Sequence, residues 1–444
     1  MDCADDETLF TFALGDLLMK YTKTFAYRAT RAICATAALA LLAGCSNLLD
    51  VSDPGSIQGG QLNDPALQTL MVNGVIGEFQ NAYGYYSLWS GVLADETFTD
   101  HTNVSVRQFS LHSFDDLNDI NSGAYENLQR ARQSADDASE RLKGILGAAA
   151  SSNLDMARVM AYGGYAYLLL AEGFCEAPVN LSAPLSDDEL FARAIARFDT
   201  AIAVATAANS GANAAAATDL INMANVGAAR ASLKKGDLVK AKAYASLVPP
   251  SYEKLVYYSA NTVRENNQMQ RPARTADPFL GVGPAFLGQN DPRDPPLGTS
   301  RLGLNSNPLF PPQLPYMYTG WSATTLKPID ITSNVKFATG LEAQYILAEV
   351  DGPTAATLAF VNSRRAVGNQ APVNLSGADL ITELRNQRAR DFYLTGQRLG
   401  DLRRYLKAGT DLFPKGKYPV FTDFYGDNKC FIIPLSEKAG NPNL

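Results

Sequence analysis

Apolar residues recur at helical spacing along most of the chain. The first such stripe follows Asn63-Asp64-Pro65, where a capping residue precedes a proline suited to the first helical turn. Its apolar positions are Leu67, Leu70, Met71 and Ile76. This spacing predicts a helix that ends near Ala82, and a similar pattern predicts another helix over residues 125–145.

Two short segments after the first helix lack this spacing. Residues 83–89 read YGYYSLW, and residues 95–100 read DETFTD. We predict an aromatic loop for the first segment and irregular polar chain for the second.

Alanine-rich helical stretches follow and come in pairs. Residues 220–233 and 237–247 form the clearest pair, joined at Lys235-Gly236-Asp237, where glycine suits a tight turn. Their small side chains let helices approach closely, and the pair resembles a tetratricopeptide repeat. Further pairs are predicted within residues 157–205 and from residues 341–349 with 355–367.

Residues 248–334 differ from these helices because they are dense in proline, glycine, asparagine and aromatic residues. Proline removes a hydrogen-bond donor and clashes with the preceding turn, so we predict a loop-rich insertion rather than helix. Short strands are predicted near residues 255–259 and 327–331. The insertion also contains Asp291-Pro292-Arg293.

Charged residues crowd around a thin apolar stripe in residues 384–406, LRNQRARDFYLTGQRLGDLRRYL. Leu399, Leu402 and Leu406 form the stripe, and Gly396 interrupts the pattern, which predicts two helices joined at a tight turn. Arginine and aspartate three residues apart can pair on a helix surface. One interpretation is a charged, solvated helical hairpin.

The same segment resembles the C-terminal signature of the RagB/SusD family of outer-membrane nutrient-uptake lipoproteins, R-x-R-E-L-x-x-E-G-x-R-x-x-D-L-R-R. The matching residues are Arg388, Arg390, Asp391, Gly396, Arg398, Asp401, Leu402, Arg403 and Arg404. The chain departs from the pattern at Thr395, where the family usually has Glu.

Two further segments resemble this family and stand in the right order. Residues 46–54, SNLLDVSDP, follow a cysteine as in mature family proteins, and residues 433–443 are close to the family's I-P-x-x-E-x-x-x-N-P-N ending. The resemblance implies a SusD-like domain over residues 61–444, with the C-terminal signature in 384–444. Its fold would be mainly α, a SusD-like α-α superhelix of tetratricopeptide-like helix pairs with a Pro/Gly-rich loop insertion at about 248–334 and a few short strands.

Residues 19–44 have the features of a lipoprotein signal peptide. A basic start leads into an apolar run too short to span a bilayer comfortably, and Leu42-Ala43-Gly44-Cys45 matches the lipobox of bacterial lipoproteins. We predict lipidation at Cys45 and a lipidated tether over residues 45–60. Residues 1–18 are acidic, unlike a signal peptide, and we interpret them as a mis-called N-terminal extension.

Composition narrows the classes of function. A formal net charge of −7 argues against nucleic-acid binding, which needs a basic surface. No apolar run after Cys45 is long enough for a transmembrane helix, so we expect the lipid to provide attachment to a membrane. The family resemblance implies that this is the outer membrane and that the protein faces the cell exterior.

Two cysteines, Cys175 and Cys430, remain once the leader is removed and Cys45 is acylated. In an exported protein such a pair favours a disulfide, which would attach the C-terminal tail to the helical scaffold. The alternative is two unrelated buried thiols.

No catalytic or metal-binding motif stands out. The chain has only two histidines, His101 and His112, and it lacks zinc-ligand spacings and cofactor fingerprints. Adjacent acids such as Asp95-Glu96 could serve a glycosidase, although such acids are more commonly solvated or helix caps. We therefore expect no enzyme activity, no metal and no cofactor.

Aromatic residues in loop-like sequence are better candidates for function. Sugars present apolar faces rimmed by hydroxyls, so they stack on aromatic rings while nearby polar side chains bind the hydroxyls. The ligand-binding candidates are Tyr85, Tyr86, Trp89 and Asp95 in one group and Tyr316, Tyr318 and Trp321 in another. The alternative is that these rings fill the core beneath loops.

The family resemblance implies a cell-surface substrate-binding lipoprotein. It would capture an oligosaccharide or peptide and deliver it to a TonB-dependent, SusC-like outer-membrane barrel. The alternative function is a tetratricopeptide scaffold lipoprotein for envelope assembly that binds no nutrient.

Replacement of the lipobox cysteine tests the anchor. Cys45→Ala removes the thiol that accepts the lipid, so the protein should leave the membrane fraction or accumulate unprocessed. Cys34→Ala, inside the leader, is the matched control and should leave fractionation unchanged. Membrane-bound, processed Cys45→Ala protein would contradict the prediction.

Overall fold

The computed structural model describes residues 63–99, 103–269, 280–286, 291–293, 297–298, 316–317, 321–322, 327–328, 331–418 and 422–444. The predicted extension 1–18, signal peptide 19–44, lipidation site Cys45 and tether 45–60 lie outside these residues and stay predictions.

Twelve α-helices make up most of the described chain. In order they are α1 (Gln68–Leu93), α2 (Val104–Ser110), α3 (Asp119–Leu146), α4 (Leu154–Gly173), α5 (Asp187–Ala208), α6 (Ala214–Lys235), α7 (Leu238–Ala245), α8 (Gly340–Asp351), α9 (Ala355–Val367), α10 (Gly377–Asp391), α11 (Arg398–Lys407) and α12 (Leu435–Gly440). None of these described helices is long and apolar enough to cross a membrane.

The predicted helix pairs are confirmed. Helices α4 and α5, α6 and α7, and α8 and α9 pack together, and α5 also packs on α6. Gly236 ends α6 with a φ of 88°, the left-handed conformation that glycine adopts most easily. Together with the short strands, this architecture confirms the predicted mainly α fold.

Glycine spacing explains how closely three of these helices pack. The buried Phe198 ring of α5 lies against Gly164 of α4 and Gly227 of α6, where any Cβ atom would collide with the ring. Small residues in α4 and α6 therefore create the space that the aromatic residue of α5 fills.

Short strands connect and cover the helices. They are β1 (Thr97–Thr99), β2 (Glu176–Ala177), β3 (Leu185–Ser186), β4 (Glu253–Val256), β5 (Leu280–Val282), β6 (Leu297–Gly298), β7 (Tyr316–Met317), β8 (Trp321–Ser322), β9 (Lys327–Pro328) and β10 (Val335–Thr339). One sheet has the order β1-β5-β7-β6, and β4 pairs with β10, β2 with β3 and β8 with β9, all antiparallel. Two strands, β4 and β9, overlap those predicted in the insertion.

Two local predictions are wrong. Residues 83–89 are not a loop but continue α1, because Phe79, Tyr83 and Tyr86 share one helix face and are buried against the core. Residues 97–99 are not irregular, since they form β1 and pair with β5. In both places tertiary packing outweighs the local preference of the sequence.

The C-terminal tail is held against the end of α4. A disulfide joins Cys175 to Cys430, whose Cα atoms lie 5.4 Å apart. Beside it, the Cys175 amide donates to the Phe431 carbonyl at 3.1 Å, and the Phe431 amide donates to Gly173 at 2.9 Å. The tail thus contacts the helices far from it in sequence.

Candidate functional site

Charged residues of the C-terminal signature are buried rather than solvated. Arg388 on α10 is 3% exposed and Asp401 on α11 is 6% exposed, which excludes a solvated hairpin. Between the helices, Gly396 has a φ of 77° and lies against the Tyr86 ring. The predicted turn at Gly396 is confirmed, and its tight contact brings the two helices onto the core.

Asp401 is the centre of a buried ionic cluster. Its carboxylate accepts hydrogen bonds from Arg388 Nε at 2.8 Å and from Lys234 Nζ at 2.5 Å. Burial alone would raise the pKa of Asp401, but Arg388 and Lys234 outweigh burial and hold that pKa well below its usual range. Asp401 is therefore ionised and paired with two cations from different helices.

Further charges extend this cluster across the helical core. Arg230 Nε and Nη2 donate to the two carboxylate oxygens of Glu342 at 2.5 and 2.7 Å. Gln397 accepts from Arg388 at 2.9 Å and donates to Glu342 at 3.3 Å, and Glu172 lies 3.7 Å from Lys234. We call Glu172, Arg230, Lys234, Glu342, Arg388 and Asp401 the core ionic cluster. It joins α4, α6, α8, α10 and α11.

A second group of charges surrounds Asp391 at the end of α10. Arg364 binds it with Nε and Nη2 at 2.8 and 2.7 Å, Arg293 with Nη1 at 3.1 Å, and the Tyr345 hydroxyl at 2.5 Å. Arg293 also binds Asp291 at 2.9 and 2.6 Å. The Asp391 carboxylate therefore joins the Asp291-Pro292-Arg293 element to α8, α9 and α10, and Arg293 also donates to Gln387 of α10 at 2.6 Å.

The buried acid Glu96 contacts the turn between α10 and α11. At this turn the family signature has Glu, whereas this chain has Thr395. The Thr395 hydroxyl donates to the Phe392 carbonyl at 2.7 Å, whereas the Leu394 amide donates to Glu96 Oε1 at 3.1 Å. Burial raises the pKa of Glu96 to about 8, although Arg398 lowers it. Glu96 thus provides a carboxyl group for the turn from the other end of the chain.

A cavity of about 200 Å³ lies beside the Asp391 group. We call it the Asp391 cavity. Its lining consists of Pro250, Tyr252, Glu253, Arg293, Lys336, Thr339, Leu341, Arg364, Val367, Asp391, Phe392, Thr395 and Gln397. Apolar and aromatic side chains thus share the wall with charged and hydroxyl groups, a combination that suits a small polar organic ligand. Two other pockets in the described chain hold only about 10 Å³ each.

No protein-family profile and no curated protein matches the sequence. Solved structures do match its fold. A SusD superfamily protein from Bacteroides fragilis has a TM-score of 0.62 and 14% identity, over 86% of this chain and 98% of that chain. The chain has a SusD-like fold.

Two other solved structures agree with this result. Surface glycan-binding protein A from Bacteroides uniformis has a TM-score of 0.60 and 13% identity, over 85% of this chain and 98% of that chain. A third structure, crystallised with a xylogluco-oligosaccharide, has a TM-score of 0.58 and 13% identity, over 84% and 97% of the two chains. The family resemblance of the sequence is confirmed at the level of the fold.

The SusD-like fold does not bring the first group of predicted ligand residues to the cavity. Tyr86 packs against Phe431, and Trp89 packs edge-on against Phe109, with ring centroids 6.0 and 5.8 Å apart. Both rings are buried in the core, and the partly buried Tyr85 contacts the Trp89 ring. Burial of these rings agrees with the alternative that they fill the core.

Asp95, the acid of that group, also lies away from the cavity. It adopts a φ of 58° after α1 and accepts a hydrogen bond from the Tyr425 hydroxyl at 3.1 Å. Burial raises its pKa to about 6, while Tyr425 and Arg398 lower it. The geometry gives Asp95 a role in holding the C-terminal segment.

The second group of candidates stays a prediction. Tyr316 and Trp321 lie in β7 and β8, of which only the backbone is described, and Tyr318 lies outside the described residues.

Among the described residues, no cluster of histidine, cysteine, aspartate and glutamate is suited to hold a metal ion. Most of the cavity lining was not predicted from the sequence, although Arg293 stands in the Asp291-Pro292-Arg293 element and Asp391 in the C-terminal signature.

Truncation of Asp401 tests the core ionic cluster. Asp401→Ala leaves Arg388 and Lys234 buried without their shared carboxylate, so the free energy of unfolding should fall by about 3–5 kcal/mol. Asp351→Ala, which breaks the exposed Lys242–Asp351 pair, should lower it by less than about 1 kcal/mol. Urea denaturation measures both, and equal losses would refute the assigned role of the cluster.

The raised pKa of Glu96 predicts a pH effect. Between pH 4.5 and about 8, Glu96 keeps its proton in the folded state but loses it in the unfolded state. The free energy of unfolding should therefore decrease as pH rises from about 4.5 to about 8, by about 1.4 kcal/mol per pH unit. Glu96→Gln keeps the acceptor for Leu394 and removes the titration, so its stability relative to the native protein should increase over this range.

Urea denaturation at several pH values between about 5 and 8 measures this difference. Glu140→Gln, in an exposed pair with Lys143, is the control and should show little change with pH. A constant difference between Glu96→Gln and the native protein would contradict the raised pKa.

Proposed function

We propose that this chain is a cell-surface glycan-binding lipoprotein. Anchored through Cys45, it captures an oligosaccharide and delivers it to a TonB-dependent, SusC-like outer-membrane barrel. The single observation that carries the proposal is the SusD-like fold, shared over more than four fifths of the chain with proteins that include a surface glycan-binding protein. The activity is binding rather than bond cleavage.

Features of this chain support the same proposal. The lipobox at Leu42-Ala43-Gly44-Cys45 supplies a route to the membrane surface, and the Asp391 cavity combines apolar walls with hydroxyl and charged groups. Strands β7 and β8, consecutive in the chain, carry Tyr316 and Trp321, aromatic residues of the type that stacks on sugars.

A scaffold lipoprotein for envelope assembly is the second candidate function. Exposed apolar residues on and after α7 favour it, since such residues can contact a protein partner. They are Leu238, Val239 and Leu247. A scaffold of this kind would bind no glycan, which separates the two proposals experimentally.

A glycan array with the purified chain that begins after Cys45 tests the proposal. We expect binding to at least one oligosaccharide, and Trp321→Ala should weaken it about tenfold, because loss of a stacked ring removes about 0.5–1.5 kcal/mol and its buried area. Tyr257→Ala, at an exposed aromatic residue directly after β4, is the control and should bind normally.

Isolation from membranes tests the delivery step. The full-length chain should co-purify with a TonB-dependent barrel from its native envelope. A chain that binds no glycan on the array and co-purifies with assembly proteins instead would favour the scaffold function.

A further inference from the structure

The size of the Asp391 cavity limits what it can hold. Its volume is about 200 Å³. Sites for larger ligands usually measure about 300–1,000 Å³. The cavity is therefore at the small end of ligand sites and is suited to one sugar ring.

The solvent exposure of its lining residues shows that the Asp391 cavity is closed at one end. Phe392, Thr395 and Gln397, from the turn between α10 and α11, are buried. At the opposite side, Val367 is 45% exposed, and the Lys336 and Glu253 side chains are 33% and 52% exposed. In the part of the chain that the structure describes, the cavity is open on the side of Val367, Lys336 and Glu253, and a ligand that enters there inserts its terminal ring first.

The charges in the cavity are already paired. Asp391 accepts hydrogen bonds from Arg364, Arg293 and Tyr345, so its oxygens are occupied, and Lys336 lies 2.5 Å from Glu253. An acidic ligand would have to compete with these carboxylates for the same cations, and its charge would be desolvated. The paired charges favour a neutral ligand.

Hydrogen-bonding capacity remains for hydroxyl groups. Arg364 uses Nε and Nη2 for Asp391, which leaves the N–H groups of Nη1, and Lys336 uses one of its three donors for Glu253. The Thr339 hydroxyl accepts from the Glu342 amide and can still donate. Leu341 and Val367 supply apolar surface for the C–H face of a ring.

We infer that the Asp391 cavity binds the terminal ring of a neutral oligosaccharide, with the following rings leaving past Lys336 and Glu253. This inference rests on the proposed function and specifies the part of the ligand that is bound. The cavity recognises the end of a neutral glycan chain rather than the middle of a polysaccharide. Trp321 and its neighbours are not required for it.

The test uses isothermal titration calorimetry with cello-, xylo- and manno-oligosaccharides of one to six rings and with the glycans that bind on the array. Affinity should level off once the terminal ring and its neighbour are present. An oligosaccharide oxidised to an acid at its bound end should bind at least tenfold more weakly than its neutral form.

A variant that fills the cavity locates the site. Val367→Trp places a large ring at the entrance and should reduce affinity at least tenfold, whereas Val239→Trp, at a position that is 81% exposed on α7, should have no effect. Thermal unfolding verifies that both variants fold. Lys336→Ala provides a second, milder change at the entrance and should weaken binding about three- to tenfold.

The outcomes separate this inference from the proposed function. Unchanged affinity in folded Val367→Trp and Lys336→Ala, or affinity that rises with every added ring, overturns the inference while glycan binding stands. Tighter binding of the acidic form also overturns it. If no glycan binds the native chain at all, the proposed function itself falls.

Discussion

The core ionic cluster is the constraint on which the rest of this structure depends. Burying a charge without a partner destabilises a fold by several kcal/mol, so the helices that carry these charges must meet in an arrangement that pairs all of them. Asp401 binds Arg388 and Lys234, while Arg230 binds Glu342. Apolar packing alone tolerates small shifts of helices, whereas hydrogen-bonded ion pairs tolerate far less, and the cluster therefore restricts how α6, α8, α10 and α11 can be arranged.

This arrangement also positions the candidate site. The Asp391 group shares α8 and α10 with the core ionic cluster, and Gln397 contacts both the cluster and the cavity. The cavity wall is consequently made of side chains whose positions are restricted by several hydrogen bonds. A preformed wall of this kind loses little conformational entropy when a ligand binds, which favours recognition of a small polar molecule.

Sequence patterns predicted the helical scaffold well because its signals are local. The paired stretches and the glycine turns at Gly236 and Gly396 follow from spacing or residue type. The disulfide between Cys175 and Cys430 was predicted differently, because these are the two cysteines that remain outside the leader and the lipobox. The aromatic segment 83–89 was misread because its rings and glycine have loop-like composition, while its helical periodicity continues that of Phe79. Burial against distant helices, which no local window contains, decides between these two interpretations.

By itself, the sequence determined that this protein is a mainly helical, SusD-like chain with a predicted lipid anchor. It could do so because helical spacing, turn glycines and the signature motif lie in short, contiguous segments. Only the tertiary structure decided that the signature is buried, that Glu96 reaches the turn at Thr395, and that a cavity forms beside Asp391. Each of these depends on contacts between residues tens to hundreds of positions apart, and composition and spacing do not specify which distant partners will meet.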